Sequence, residues 1–464
     1  MAFIVDTLAI GCTAILVWFG TGLHPWWPLM WFAPLPVLLV AARATRTRTA
    51  VVAFLGFFLG NFNIWHYLHD VLHMPATAFV VTLGIPSLGL ALVALLFRAL
   101  YNRRAWWSAL VGFPAVWVSV EYLVSLTSVH GTAGNLAYSQ LDNLPILQIA
   151  SLTGPWGISF VLLLFPTSLV IIKAARWVGL AGLAAVGLVF WFGHARLNAT
   201  TTDAHVKVGL VASDLPENKG IADEGPKTAR LLRDYASAAQ RLARQGAHVI
   251  VLPEKLGVVV DADSAGMDSV FQRVADTDTA QIVVGVLRVV SHVKYNQARV
   301  YAPGVPVRTY DKQHMLPPFE SKLTPGTSLT MLSESTGPWG VAICKDMDFT
   351  RLSRQYGVAG AGLMLVPAWD FDLDRWSHGH IAVMRGVEDG FTMARAAKQG
   401  YLTVSDDRGH ILAETRSDAA PFSTLVTDLP VSHDVTLYRR FGDWFAWVML
   451  AIFAGTLVRH MVRT

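Results

Sequence analysis

Three side chains, Glu254, Lys312 and Cys344, can together do acyl chemistry. They stand in that order at the ends of apolar runs: AHVIVLPE, RTYDK and GVAIC. A carboxylate beside a thiol can take its proton, and a lysine can stabilise the oxyanion of an acyl intermediate. The stretch VAICKDMDF reads as a short β-type run over residues 340–343, a Cys-Lys-Asp turn, and a helical pattern from about residue 350 to 356. A thiol at such a turn is held exposed with backbone N–H groups near it, which lowers its pKa and offers an oxyanion site. Each residue also has an ordinary reading: Cys344 a buried structural thiol, Glu254 a surface charge at a strand end, Lys312 a solvated loop lysine. Residue types alone do not choose between the two.

The elements that must position these residues lie between residues 203 and 440. Residues 205–212 alternate like an opening strand, and 226–245 carry a helical pattern with Leu231, Leu232, Tyr235, Ala238, Ala239 and Leu242 on one face. AHVIVLPEK, QIVVGVLRV and GLMLVPAWD are apolar throughout, as strands buried on both faces are. VKYNQARVYAPG predicts a strand pair, TYDKQHMLPPFES an irregular loop, residues 378–395 a helix, and YLTVSDDRGHILAE a closing hairpin. Alternation of strands and helices argues an α/β domain with buried sheets.

The rest of the chain is of another kind. Of 464 residues, 53% are hydrophobic and 15% charged, against about 25% charged in soluble domains, and the mean hydropathy is +0.42. Seven apolar segments precede residue 200, at roughly 3–20, 26–42, 50–68, 77–97, 107–126, 148–172 and 177–195, and an eighth covers roughly 443–458. Each is near the length that spans a bilayer. The first lacks a basic leader and a small-residue cleavage site, so it reads as a span and not a removed signal peptide. Basic residues cluster after alternate segments: Arg43, Arg46 and Arg48; Arg98, Arg103 and Arg104; Lys173 and Arg176; Arg459 and Arg463. The intervening loops 21–25, 69–76 and 127–147 contain no Lys or Arg. All four clusters share one side if both termini are cytoplasmic, which puts 203–440 on the extracytoplasmic face. The organisation expected is a transmembrane bundle over 1–200, an α/β domain over 203–440, and a final span with a cytoplasmic tail over 441–464. A net charge of +4 without a basic stripe gives nucleic-acid binding little support. Cys12 lies in an apolar segment, so Cys344 remains a free thiol. Gly56 and Gly60 predict close helix packing. Glu121, a carboxylate within a span, is either functional or a structural hydrogen-bond acceptor. His66, His69, Asp70 and His73 have helical spacing, but two histidines at i, i+4 at the end of a span make a weak metal site; no metal is expected.

The motifs resemble those of the nitrilase (carbon–nitrogen hydrolase) superfamily. VLPE is similar to its strand–Pro–Glu motif, YDKQHMLPPFE to its lysine loop, AICKD to its nucleophile turn, and KYNQA, with Asn296, to its Tyr-Asn signature. The apolar half adds WFAPLPVLL, NLAYSQLDNLPILQIASLTGPWGISF (with Tyr138) and TLYRRFGDWF, which resemble the apolipoprotein N-acyltransferase family across essentially the whole chain. The resemblance implies a transmembrane helical bundle of about eight spans carrying a nitrilase-like αββα sandwich. It also implies a Glu-Lys-Cys triad of Glu254, Lys312 and Cys344. Cys344 would take an acyl chain from a phospholipid as a thioester, and the α-amino group of a diacylglyceryl-cysteine lipoprotein would discharge it, at the bacterial inner membrane and without a metal or organic cofactor. Glu320 corresponds to the family's second active-site glutamate. Asn296, Trp369, Tyr138 and Glu121 are expected to support the site or bind substrate.

The sequence departs from that family beside the nucleophile, where Lys345 and Asp346 replace an aromatic residue and Glu. Asp346 keeps a carboxylate, while Lys345 either adds a cation beside the thiol or faces solvent. The fifth span has Glu121-Tyr122-Leu123-Val124 and so lacks the family's arginine, GTAGN stands in place of Phe-Pro-Trp, and PPFESKLTPG is closer to soluble nitrilases. Two other readings therefore stand beside lipoprotein N-acylation. One keeps the triad with another amine or water as acceptor; the other is an inactive lipid- or lipoprotein-binding scaffold.

Overall fold

A computed structural model describes residues 2–199, 204–223, 225–261, 264–432 and 434–461. Arg463, one of the expected basic residues, lies outside the described residues. The chain divides into two compact units: residues 1–128, 132–199 and 441–464, and residues 129–131 with 200–440.

The first unit is helical. Among the described residues, five helices are long and apolar enough to cross a membrane: Ala2–Gly20, Arg46–Ile64, Ala76–Asn102, Trp106–Thr127 and Arg176–Leu197. The other three apolar segments are shorter or broken. Residues 26–42 form two pieces, Trp27–Met30 and Leu35–Ala41. Residues 148–172 break at Gly154, whose φ of +64° is followed by Pro155 at the start of Pro155–Ile171. The last, Trp444–Met461, is apolar over its first 13 residues, Trp444–Thr456. A Cβ on Gly56 or Gly60 would lie 2.9 Å from Thr13 Cβ or 2.5 Å from Val17 Cβ, so this glycine pair permits close approach to Ala2–Gly20. Arg48 makes a two-pronged ion pair with Asp6 at 2.7 and 2.8 Å. Arg98 donates to the Ala44 carbonyl at 2.7 Å, so the first two basic clusters sit at one end of this unit. His66 and His69 both turn Nδ1 to Asp70, and no metal-binding group of His, Cys, Asp or Glu occurs among the described residues.

The second unit is a two-sheet sandwich. Its strands are β1 (Ala204–Ala212), β2 (Val249–Val251), β3 (Val258–Val260), β4 (Gln281–Val290), β5 (Val293–Ala302), β6 (Val305–Asp311), β7 (Thr330–Glu334), β8 (Gly337–Val341), β9 (Leu363–Trp369), β10 (Thr392–Lys398), β11 (Tyr401–Ser405), β12 (Ile411–Arg416) and β13 (Ser423–Val431). One sheet runs β13-β1-β2-β4-β5-β6, with β3 also on β4; the other runs β12-β11-β10-β9-β8-β7. Side-chain alternation explains why the strands are apolar throughout. In β2, Val249 and Val251 enter the core shared with the second sheet, while Ile250 joins Leu231, Tyr235 and Phe271 under the helices Pro226–Arg244 and Ser264–Asp278. Val283 and its neighbours Ile282 and Val284 divide in the same way on β4. Each sheet thus has two buried faces, with helices Thr350–Val358 and Arg375–Asp389 accompanying the second. This layering is a nitrilase-like αββα sandwich.

Local differences from the sequence reading have physical causes. The expected helix over 378–395 is Arg375–Asp389, because Gly390 closes it at a φ of +75° and Arg395 lies on β10. Cys344 opens a 3₁₀ turn, Cys344–Asp348, ahead of the α-helix. The expected strand pair at 293–304 is one strand, β5, which turns at residues 303–304 into β6.

Candidate active site

Strand ends of the second unit bring the sequence-predicted residues together. Glu254 follows β2, Lys312 follows β6, Asn296 lies on β5, and Cys344 follows β8. Glu254 is 1% and Lys312 2% exposed, which removes the surface-charge and solvated-loop readings. Lys312 Nζ donates to Glu254 Oε1 at 2.9 Å and to Glu320 Oε2 at 2.8 Å. Asn296 Nδ2 bridges the same carboxylates, at 2.5 Å to Glu254 Oε1 and 2.8 Å to Glu320 Oε1. Lys255 closes the cluster with Nζ 2.5 Å from Glu320 Oε1. Burial alone would raise the Glu320 carboxyl, but the Lys312 and Lys255 ammonium groups overcome it and hold its pKa at about 2. Burial likewise opposes the charge on Lys312, and Glu254 and Glu320 reverse this, keeping its pKa well above the ordinary lysine value.

The backbone places Glu254 and Cys344 against neighbouring residues of one strand. The Glu254 N–H donates to Ala368 O at 3.2 Å, and Cys344 Sγ donates to Trp369 O at 3.4 Å. Close approach at Glu254 needs Gly285 on β4, where an added Cβ would lie 2.4 Å from Pro253 O and 2.5 Å from Glu254 Cα. Gly285→Ala must push this backbone away. We expect it to lower stability by about 2 kcal/mol, the scale of overpacking in a rigid core, and to cut turnover with it. Thermal melting and a turnover assay check both.

Cys344 has a φ of +45°, a left-handed conformation that a non-glycine residue holds only at a cost of about 1–3 kcal/mol. The expected lowering of its thiol pKa is not what the structure gives. Burial, and then the charge of Glu254, pushes the thiol up, while Lys312 and then His378 pull it down. Cys344 is 8% exposed and no α-helix starts at it, so the helix-terminus argument does not apply.

Asp346 ties the turn at Cys344 to the loop that follows Lys312. Its Oδ1 accepts from the N–H groups of Gln313 and His314 at 3.2 and 2.9 Å; its Oδ2 accepts from Tyr310 Oη at 2.7 Å and from the Ile343 N–H. Lys345 does not face solvent: it is 3% exposed, and its Nζ lies 2.9 Å from His130 Nδ1. Burial lowers the pKa of this amine. Trp369 donates from Nε1 to Gln399 Oε1 at 2.7 Å, and Lys398 Nζ sits 3.7 Å from its ring centre. Glu121 and Tyr138 belong to the helical unit. There Glu121 accepts from Leu136 N at 2.8 Å and Asn135 Nδ2 at 3.1 Å, and Tyr138 Oη bonds to Thr132.

The sequence reading named Asp370 only beside Trp369 and did not single out Lys255, His378, Arg395 or Lys398. Lys255 directly follows Glu254 and could have been taken from PEK. The others are ordinary on the page, and only the meeting of β9, β10 and helix Arg375–Asp389 joins them.

Residues 225–417 match the carbon-nitrogen hydrolase family, which is the class of domain this sandwich and site define. Residues 13–168 match the apolipoprotein N-acyltransferase N-terminal domain. The apolipoprotein N-acyltransferase of Geobacter metallireducens is 26% identical over 474 residues, covering 91% of this chain and 89% of that protein. That of Nitrosomonas europaea is 25% identical over 484 residues, covering 93% and 94%. Among solved structures, Nit3 of Saccharomyces cerevisiae, of the nitrilase superfamily, is 20% identical with a TM-score of 0.43, covering 50% of this chain and 93% of that one. Both domain models match in this order, and the chain is similar over about nine-tenths of its length to proteins named apolipoprotein N-acyltransferase.

Proposed function

We propose that this protein moves a fatty acyl chain from a phospholipid, through a thioester on Cys344, to the α-amino group of a diacylglyceryl-cysteine lipoprotein. The observation that carries the chemistry is the buried cluster of Glu254, Lys312, Glu320 and Asn296, held against the same strand end as Cys344. Glu254 takes the thiol proton, Sγ attacks the ester carbonyl, and the proton passes to the departing lysophospholipid oxygen. Lys312 faces the charge that develops on the carbonyl oxygen, with Glu320 and Asn296 fixing its ammonium. The amine then attacks the thioester carbonyl carbon, the C–S bond breaks toward sulfur, and Glu254 accepts the amine proton. These residues perform the sequence without a cofactor.

Asp346 positions the lysine loop, and Lys345 and Trp369 line the approach to sulfur. Glu121 and Tyr138 serve as supporting residues of the helical unit. The Arg98–Ala44 and Arg48–Asp6 contacts support a common cytoplasmic side for the basic loops. On that reading the eight apolar segments span the inner membrane, 203–440 is extracytoplasmic, and 441–464 returns to the cytoplasm.

Intact mass spectrometry of the detergent-solubilised protein after incubation with phospholipid tests this. One added fatty acyl mass, discharged by a diacylglyceryl-cysteine peptide, is expected. Discharge only by water or another amine moves the acceptor to an amidase or a different N-acyltransferase. An absence of adduct with every phospholipid overturns acyl donation and brings the amidase or the scaffold forward.

A further inference from the structure

The cluster around Glu254 leaves a difficulty at sulfur. Lys312 Nζ lies 2.9 Å from Glu254 Oε1, so it favours negative charge on the resting carboxylate. Moving the thiol proton to Glu254 carries that charge to Sγ, which is buried. A second cation, on the sulfur side, would draw it across.

His378 occupies that place, in the first turn of helix Arg375–Asp389. The His378 and Cys344 side chains are electrostatic neighbours: the imidazole pulls the thiol pKa down, and the sulfur pulls that of the imidazole up. Its Nδ1 is 3.6 Å from Asp370 Oδ1 and its Nε2 3.5 Å from Asp374 Oδ2, and both carboxylates are fully buried. Asp370 is fixed by Arg395, whose two terminal nitrogens donate to it at 2.8 and 2.5 Å. It also follows Trp369, whose carbonyl accepts from Sγ. Asp348 of the nucleophile turn and His130 complete the charged groups facing this imidazole. Those facing sulfur, besides His378, are Glu254, Lys312, Lys345, Asp370 and Arg395.

We propose that His378 is a catalytic residue of this acyl transfer. Its imidazolium holds the Cys344 sulfur as thiolate for attack on the donor ester, and receives it again as leaving group when the amine cleaves the thioester. No proton leaves His378 in either step: the thiol proton goes to Glu254 and on to the departing alkoxide, and the amine proton returns to Glu254. Burial would discharge the imidazole, but Asp374 and Asp370 keep its pKa well above the ordinary histidine value, so it is charged at neutral pH. Asp370 and Arg395 act behind it as positioning residues.

The proposal rests on Cys344 being the nucleophile, but its test needs neither lipid nor acceptor. The rate of iodoacetamide alkylation of the Cys344 peptide is measured against pH on the full-length protein in detergent. His378→Gln is expected to move the alkylation midpoint up by at least one pH unit, slowing reaction about tenfold below it, while the high-pH plateau is kept. Asp374→Asn, which weakens the cation without touching sulfur, should move the midpoint the same way by less. A purely structural role would lower the plateau or the melting temperature and leave the midpoint in place. An unmoved midpoint in folded His378→Gln overturns the proposal. If that variant does not fold, an unmoved midpoint in Asp374→Asn does so. Failure of acyl transfer itself appears in the adduct experiment and leaves these profiles unchanged.

Discussion

Cys344→Ala protein incubated with phospholipid is expected to gain no acyl mass at any time, and its lipoprotein acylation to fall by a factor on the order of 10⁶, the scale seen when a covalent nucleophile is removed. The substitution is mild for the fold. Sγ makes a hydrogen bond to Trp369 O, and alanine keeps the same left-handed backbone at φ +45°. The strain at this position is therefore unchanged, and the lost contact is worth about 1 kcal/mol. A melting temperature within a few degrees of wild type is expected beside complete loss of the adduct. An adduct that persists in Cys344→Ala would assign the acyl group to another side chain. The free thiol Cys12 is the first to examine, and peptide mapping of the adduct decides it.

Much of this site is visible in the sequence because its chemistry sits at strand ends. An apolar run that stops at Glu254, or at Cys344, announces a buried strand delivering a polar side chain. The layered fold follows from strands that are apolar on both faces. What pattern could not supply is partnership between side chains far apart in the chain. His378 reads as one more polar residue of a helix, and its meeting with Asp370 and Cys344 depends on how β9 and that helix return to the nucleophile turn. Lys345 shows the same limit from the other side. Its charge suggests solvent, yet the turn buries it against His130. The helix breaks at residues 154 and 390 follow local rules for glycine and proline. By contrast, the 3₁₀ turn at Cys344 is set by Asp346, which accepts from Ile343 N and reaches across to the lysine loop. The contact with Ile343 is a local capping contact, but the one to the lysine loop is tertiary and no local propensity encodes it.

Lys312→Met separates the two duties of the central lysine. Methionine fills much of the stem's volume but leaves Glu254 and Glu320, each 1% exposed, without the ammonium between them. Lys255 still reaches Glu320 at 2.5 Å but is 3.6 Å from Glu254, so Glu254 loses the most. Removing one partner of such a buried cluster costs about 3–5 kcal/mol. For a domain of this size that lowers the melting temperature by about 10 °C. Acyl-enzyme formation should fall in addition by about 10²–10³-fold, the loss expected for an oxyanion partner. The double variant Lys312→Met/Glu320→Gln distinguishes the duties, because it removes one stranded carboxylate while restoring no cation at the substrate. It should recover part of the stability and none of the rate. If rate and stability instead recover together, the lysine acts by holding the cluster in shape, and the charge on the developing oxyanion must be met by another group. If the single variant melts like wild type while the rate collapses, the two carboxylates have taken up protons in its place, and a melting temperature that falls steeply as pH rises through neutrality would show it.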